Sequence, residues 1–184
     1  RGIKVFHMEA GLRAYDRRMP EQRNRILIDH MSDVLLPYNK YHRENLIREN
    51  IHPSKIFCTG NTTFEAMRAF QPMINSSNIL DKLSLFSSST ITACLFSLSS
   101  KKYILVTAHR SENVDVKENL NNIIQAMGMV AKKFKMEVIY PMHPRTKSKL
   151  ENIEIPKNIR IIKPLGFYDF NHLLKESYCV VSDS

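Results

Sequence analysis

Short apolar runs alternate along the chain with stretches whose apolar positions recur at helical spacing. The runs are Ile3 to Met8, Val34 to Pro37, Ile56 to Thr59, Tyr103 to Thr107, Val138 to Met142, Ile159 to Ile162 and Tyr178 to Ser182. Most are near-continuously apolar, the pattern of strands whose sheet is covered by helices on both faces. Between them the sequence predicts helices at Glu21 to Met31, Tyr41 to Glu49, Phe64 to Phe70, Lys117 to Phe134, Lys147 to Asn152 and Phe170 to Ser177. The longest has one apolar stripe, Leu120, Ile123, Ile124, Met127 and Val130, and Asp115 or Asn113 stands where a side chain could cap its start. Strand and helix in alternation predict an α/β protein with parallel βαβ winding.

The texture changes between Gln71 and Lys102. Ser87-Ser88-Ser89-Thr90 and Ser97-Leu98-Ser99-Ser100 bracket a short apolar patch, Ala93-Cys94-Leu95-Phe96, and no charge falls from Ser84 to Ser100. This composition reads as a linker or irregular insertion at 71–100, dividing the chain into a unit at 1–70 and another at 101–184. Each end of the sequence lies in or beside an apolar strand-like run, so both read as cut from a longer fold. No internal repeat is present.

The 184 residues, 43% of them apolar, suffice for one domain or for two half-domains sharing a cleft. A formal charge of +9 raises nucleic acid as a partner. However, Arg17-Arg18, Lys132-Lys133 and Lys147 to Lys149 are separated by acidic and apolar residues, and no aromatic-interleaved basic stripe or helix-turn-helix spacing appears. A solvated surface is expected and nucleic acid is not; a smaller anion such as pyrophosphate fits. Cys58, Cys94 and Cys179 lack the pairing of a zinc site or the density of a secreted scaffold, which predicts reduced, mostly buried thiols in a cytoplasmic protein. No apolar stretch is long enough to span a membrane.

Ligands of parallel α/β units gather at the carboxyl ends of the strands. The residues there are His7-Met8-Glu9-Ala10-Gly11-Leu12-Arg13, Thr107-Ala108-His109-Arg110-Ser111-Glu112-Asn113, His143-Pro144-Arg145 and Ser182-Asp183-Ser184. Glu9 and Glu21 could form a carboxylate pair for acid-base chemistry in a cleft. Equally, Glu9 could cap a turn and Glu21 could favour a helix start after Pro20. Arg13, Arg23 and Arg25 could be surface ion-pair partners. His109 and Arg110, between a strand and a helix, could hold a phosphate with help from backbone N–H groups; His143 and Arg145 repeat the pattern one strand later. Dinucleotide, Walker, GxSxG and HExxH signatures are missing. His30, His42, His52 and His172 are not spaced as a metal cluster, which leaves surface or packing roles.

These motifs, with Pro20-Glu21, Asn24-Arg25, Thr59-Gly60-Asn61-Thr62 and Tyr140-Pro141-Met142-His143-Pro144, occur in an order and spacing that resemble the non-hydrolysing UDP-N-acetylglucosamine 2-epimerases. The resemblance covers nearly everything outside roughly 72–100. It implies two Rossmann-like parallel-sheet domains of GT-B type facing a cleft, each only partly present here, with UDP held largely by the second. It also implies a UDP-sugar substrate, elimination and re-addition of UDP through a 2-acetamidoglucal, no cofactor, no metal, and a homodimer of the complete protein. Glu9 and Glu21 match the family's acid-base carboxylates, and His109 its histidine near the diphosphate. Ser184 matches the serine opening its phosphate-binding turn, and Phe170 an aromatic residue near the uracil. Arg13, Arg110, Glu112 and His143 carry over as further substrate-binding residues, His143 with a regulatory UDP-sugar site in view. Gln22 replaces a common glutamate. The family's Gly-Thr-Arg-Pro-Glu loop and a catalytic aspartate would precede Arg1, and a Gly-Gly and acidic segment would follow Ser184. The resemblance therefore implies that this polypeptide alone does not turn over substrate. A non-catalytic UDP-sugar-binding protein and a GT-B glycosyltransferase are the competing readings.

Overall fold

A computed structural model describes residues 2–16, 19–83 and 103–183, and Ser184 and the serine-rich stretch from 84 lie outside them. The chain forms two compact units, Arg1–Ala69 and Phe70–Ser184.

The first unit contains strand β1 (Phe6–Met8), helix α1 (Pro20–Met31), strand β2 (Val34–Leu36), helix α2 (Lys40–Arg48) and helix α3 (Thr62–Ala69). Pro20 opens α1, where its fixed φ suits a helix and its missing N–H has no intrahelical role. Asn39 caps α2 by accepting the His42 backbone N–H at 3.0 Å. β1 and β2 pair in parallel, with His7 beside Leu35, over a small core of Ala10, Leu35, Leu46, Ile51 and Ile56. The run predicted as a strand from Ile3 enters the ladder only at Phe6. The run at 56–59 makes a single bridge, Ile56 to Leu35, although Phe57 and Thr59 also donate to the Leu35 and Pro37 carbonyls.

The second unit begins with helices α4 (Gln71–Asn75) and α5 (Ile79–Lys82). Thus the first part of the segment read as linker or insertion is helical. Its apolar Ile74 and Ile79 are buried, and the Ile74 carbonyl lies 2.6 Å from His172 Nδ1. Then follow β3 (Tyr103–Thr107), α6 (Ser111–Val114), α7 (Lys117–Phe134), β4 (Glu137–Pro141), α8 (Pro144–Lys147), β5 (Ile159–Ile162), α9 (Phe167–Glu176) and β6 (Cys179–Ser182).

All four strands of this unit are parallel, in the order β5-β4-β3-β6. The chain winds outward from β3 through β4 to β5, then returns to place β6 on the other side of β3. That reversal makes the carboxyl ends of β3 and β6 the switch point of the winding, the usual ligand position of such sheets. Successive strand residues face opposite layers. Ile104, Val106, Val138 and Tyr140 meet Leu120, Ile124, Met127 and Ala131 of α7, while Tyr103, Leu105 and Ile139 meet Leu173 of α9. Each buried Val, Leu or Ile among them contributes about 1.5–3 kcal/mol of transfer free energy.

Three local expectations change. Neither Asn113 nor Asp115 caps α7, whose N-cap position is Val116; Asn113 bonds Asp183 and Asp115 bonds Arg145 and Lys149. The helix predicted from Lys147 to Asn152 is instead α8 followed by a 3-10 turn at Ser148–Leu150. Cys58 and Cys179 are free and exposed rather than buried, Cys179 because it opens the outer strand β6.

Candidate functional site

The loop after β1 is held by side chains of α1. Gln22, Arg25 and Asp29 recur at helical spacing on that helix and each meets the loop. Gln22 Oε1 accepts the Ala14 N–H at 2.7 Å, Arg25 Nη2 donates to Glu9 Oε2 at 2.9 Å, and Asp29 lies beneath His7, Gly11 and Arg13. The Asp29 carboxylate has no exposure. Its Oδ1 is 2.6 Å from His7 Nδ1, and its Oδ2 accepts the Gly11 N–H at 3.1 Å and Arg13 Nη2 at 2.7 Å.

Glu9 rides on the crest of this loop at φ 64°, in the left-handed region that a side chain other than glycine's rarely adopts. Gly11 follows at φ 74°, and a Cβ there would stand 2.1 Å from the His42 carbonyl oxygen, so no side chain fits. A carboxylate held in an unfavourable backbone conformation by its surroundings is a common mark of a functional loop. Glu21 is exposed on the first turn of α1, one helical turn before Arg25.

Arg13 sits differently from a ligand-binding arginine. Its side chain is 1% exposed and gives Nε and Nη2 to Glu49 and Nη1 to the Leu12 carbonyl. The hydrogen bond from Arg13 holds the Glu49 carboxyl below its ordinary pKa, outweighing burial. Arg13 is therefore a support of the loop. His42 packs at a tilt on Tyr38, and its Nδ1 is buried without a partner among the described residues. Burial, with the Arg25 and Arg13 charges and against that of Glu9, pushes its pKa down.

In the second unit Asp183, at the end of β6, ties down the loop after β3. Its carboxylate accepts the His109 N–H at 3.0 Å, the Arg110 N–H at 3.0 Å and Asn113 Nδ2 at 3.1 Å; its carbonyl accepts Arg110 Nε at 2.6 Å. Burial pushes the Asp183 carboxyl up, but these donors outweigh it and leave it below the ordinary value. The backbone N–H groups read from sequence as phosphate donors are thus already taken by a carboxylate. What the loop offers a ligand is the His109 imidazole, 65% exposed, with Arg110 and the exposed Glu112 beside it. Tyr140 braces the loop from below, its buried hydroxyl donating to the Ala108 carbonyl at 2.7 Å, and burial with the Asp183 charge raises its pKa to about 12.

His109 and His143 come together. Both line a pocket of about 270 Å³ at the carboxyl ends of β3 and β4, with Ser111, Asp115, Arg145 and Thr146. His143 caps α8 through Nδ1, which accepts the Arg145 N–H at 3.3 Å. Phe170 is partly buried on α9 against Tyr103, Leu105 and Ile139, one turn after the exposed Phe167 and Tyr168. Ser184 lies outside the described residues.

Asp29 and Asp183 do most to shape the two loops; Asp29 was not among the residues the sequence singled out, and Asp183 stood in the last strand-end motif without a role of its own. A signal existed for Asp29: with Gln22 and Arg25 it forms a polar stripe on a helix that should bury an apolar one.

Parallel α/β units with polar side chains collected where the strands end define a doubly wound class of protein. A family profile described as UDP-N-acetylglucosamine 2-epimerase matches residues 1–184, and the chain belongs to that family. It is 36% identical to a UDP-N-acetylglucosamine 2-epimerase of Methanococcus maripaludis over all of this chain and 49% of that protein. It is 31% identical to a UDP-2,3-diacetamido-2,3-dideoxy-D-glucuronate 2-epimerase of Pseudomonas aeruginosa, over 99% of this chain and 47% of the relative. Among solved structures, Methanocaldococcus jannaschii UDP-GlcNAc 2-epimerase in complex with UDP-GlcNAc and UDP superposes with a TM-score of 0.83 at 34% identity, over 99% of this chain and 49% of that one. The chain spans about half the length of the relatives it matches. No helix of the described residues is long and apolar enough to cross a membrane.

Proposed function

We propose that the full-length protein interconverts UDP-N-acetylglucosamine and UDP-N-acetylmannosamine. The family match along the whole chain supports this reading, and the observation that carries it is Glu9, a carboxylate fixed at φ 64° against Arg25. A base removes the C2 proton; its electron pair forms the C1–C2 double bond as the C1–O bond to the diphosphate breaks and UDP leaves. Re-addition of UDP at C1, with a proton delivered to the opposite face of C2, gives the epimer. A C2 hydrogen is a poor acid, so the step needs a positioned carboxylate and stabilised charge on the leaving group.

In this reading Glu9 and Glu21 exchange protons with C2, and His109 stands by the diphosphate. Arg110, Glu112, His143, Phe170 and Ser184 bind substrate, while Arg13 holds the Glu9 loop. The chemistry calls on no cofactor or metal. The protein is cytoplasmic and works as a homodimer. A second reading, a modified UDP-sugar, is favoured by the Pseudomonas relative, whose name keeps 2-epimerisation and changes the sugar.

Proton NMR of UDP-N-acetylglucosamine in deuterated water with the full-length protein tests the proposal. Deuterium should enter C2 as mannosamine signals appear. Absence of exchange in folded protein that binds UDP would reject N-acetylglucosamine as substrate and turn attention to modified sugars.

A further inference from the structure

We propose that His7 is a further substrate-contacting residue, whose Nε2 accepts a hydrogen bond from a hydroxyl of the sugar held against Glu9. The inference rests on the epimerase reading above, which places the sugar at Glu9.

The argument begins with Asp29. A carboxylate can only accept, so the Nδ1 that faces Asp29 Oδ1 at 2.6 Å carries a proton, and Nε2 of the neutral ring is then an acceptor. Asp29 cannot turn away, because Gly11 N–H and Arg13 Nη2 hold its other oxygen and Arg13 is itself fixed by Glu49. A histidine locked through one nitrogen by a buried carboxylate presents the other in a defined tautomer and direction.

Nε2 has no hydrogen-bond partner among the described residues, yet it is not buried away from water, since the imidazole is 14% exposed. Its place relative to Glu9 follows from α1. Glu9 binds Arg25 and His7 binds Asp29, and these two residues are one helical turn apart on the same face, where side chains lie about 5–6 Å from each other. The two residues stand two positions apart where β1 runs into its loop, and each leans on a neighbouring side chain of one α1 face, which sets the imidazole beside the Glu9 carboxylate. His42 offers a contrast in the same unit: its orphan Nδ1 is sealed from solvent and cannot meet a ligand.

The test separates contact from support. His7→Asn puts an amide nitrogen where Nδ1 stands, so the bond to Asp29 remains while Nε2 is removed. In the full-length protein this variant should melt with the parent but lose about fivefold to tenfold in kcat/KM for C2 exchange, the effect of one neutral hydrogen bond. The same assay with 3-, 4- and 6-deoxy UDP-N-acetylglucosamine finds the hydroxyl: the parent should lose a similar factor with one analogue, on which His7→Asn shows no further loss. A variant with the parent's kcat/KM, or losses that multiply for all three analogues, overturns the assignment. A parent that binds UDP but exchanges no proton fails differently, since it rejects the epimerase reading itself.

Discussion

Arg13 and Glu49, 36 positions apart, meet in a two-pronged ion pair, Nε to Oε1 at 2.7 Å and Nη2 to Oε2 at 2.6 Å. Because the guanidinium is 1% exposed, it depends on its carboxylates for the hydration it has lost. Replacing Glu49 with Gln leaves that charge half-satisfied. We expect a loss of about 2–3 kcal/mol, near the upper range for a charge-assisted hydrogen bond, read as a shift in urea midpoint with unchanged slope.

The same pair sets a pH dependence. Glu49 has a folded pKa below its ordinary 4.5, so its contribution is complete above 4.5 and is lost as the pH falls through the lower folded value. Asp183 acts in the same direction from its ordinary 3.8. Stability should be flat from neutrality down to about pH 5 on account of these two groups and fall below it. Urea titrations from pH 7 to pH 3 should show Glu49→Gln with a shallower acid limb than the parent.

Glu9 should reveal a conflict between activity and stability. Its left-handed backbone costs about 1 kcal/mol, while its partly exposed ion pair with Arg25 returns little. Glu9→Gly should be at least as stable as the parent by thermal melt and should lose C2 exchange by a factor of about 10²–10⁴ in the full-length protein. Glu9→Gln should show the same loss of exchange while UDP binding, followed by calorimetry, stays within about twofold.

Gly11→Ala meets two obstacles at once, a positive φ and a Cβ placed 2.1 Å from the His42 carbonyl oxygen. The backbone must move, and the Gly11 N–H bond to Asp29 moves with it. A loss of about 3 kcal/mol is expected on unfolding, from overpacking and strain together.

Asp183→Asn removes the charge that collects three donors. Amide hydrogen exchange should quicken at His109 and Arg110, while the amides of β3 keep their protection because their ladder to β4 is untouched.

The scaffold of the second unit was legible because its strands are continuous apolar runs and α7 carries a clean stripe; both follow from local periodicity. Tyr103 to Thr107 and Lys117 to Phe134 appear as read. The ends of elements were harder, since caps are decided by neighbours far along the chain. Asn113 and Asp115 have the right chemistry to cap α7 and are drawn away by Asp183, Arg145 and Lys149. The loops around Glu9 and His109 stood out as candidate sites from the residue types at strand ends. Their supports were harder to see: Asp183 acts largely on backbone N–H groups, which every residue carries, and Asp29 meets His7 and Arg13 across the fold, so that only the polar stripe it forms with Gln22 and Arg25 hinted at it. Arg13 could be read as a ligand-facing cation only so long as Glu49 was unseen.

The clamp on the His109 loop also has a history in time. His109 and its anchor Asp183 are 74 residues apart, so a ribosome adding roughly 5–20 residues per second needs about 4–15 s to supply the carboxylate after the histidine is made. Until then only water can serve those two N–H groups. In the order of synthesis, the loop acquires its final shape only after the strands β3 to β5 that carry it are available to pair.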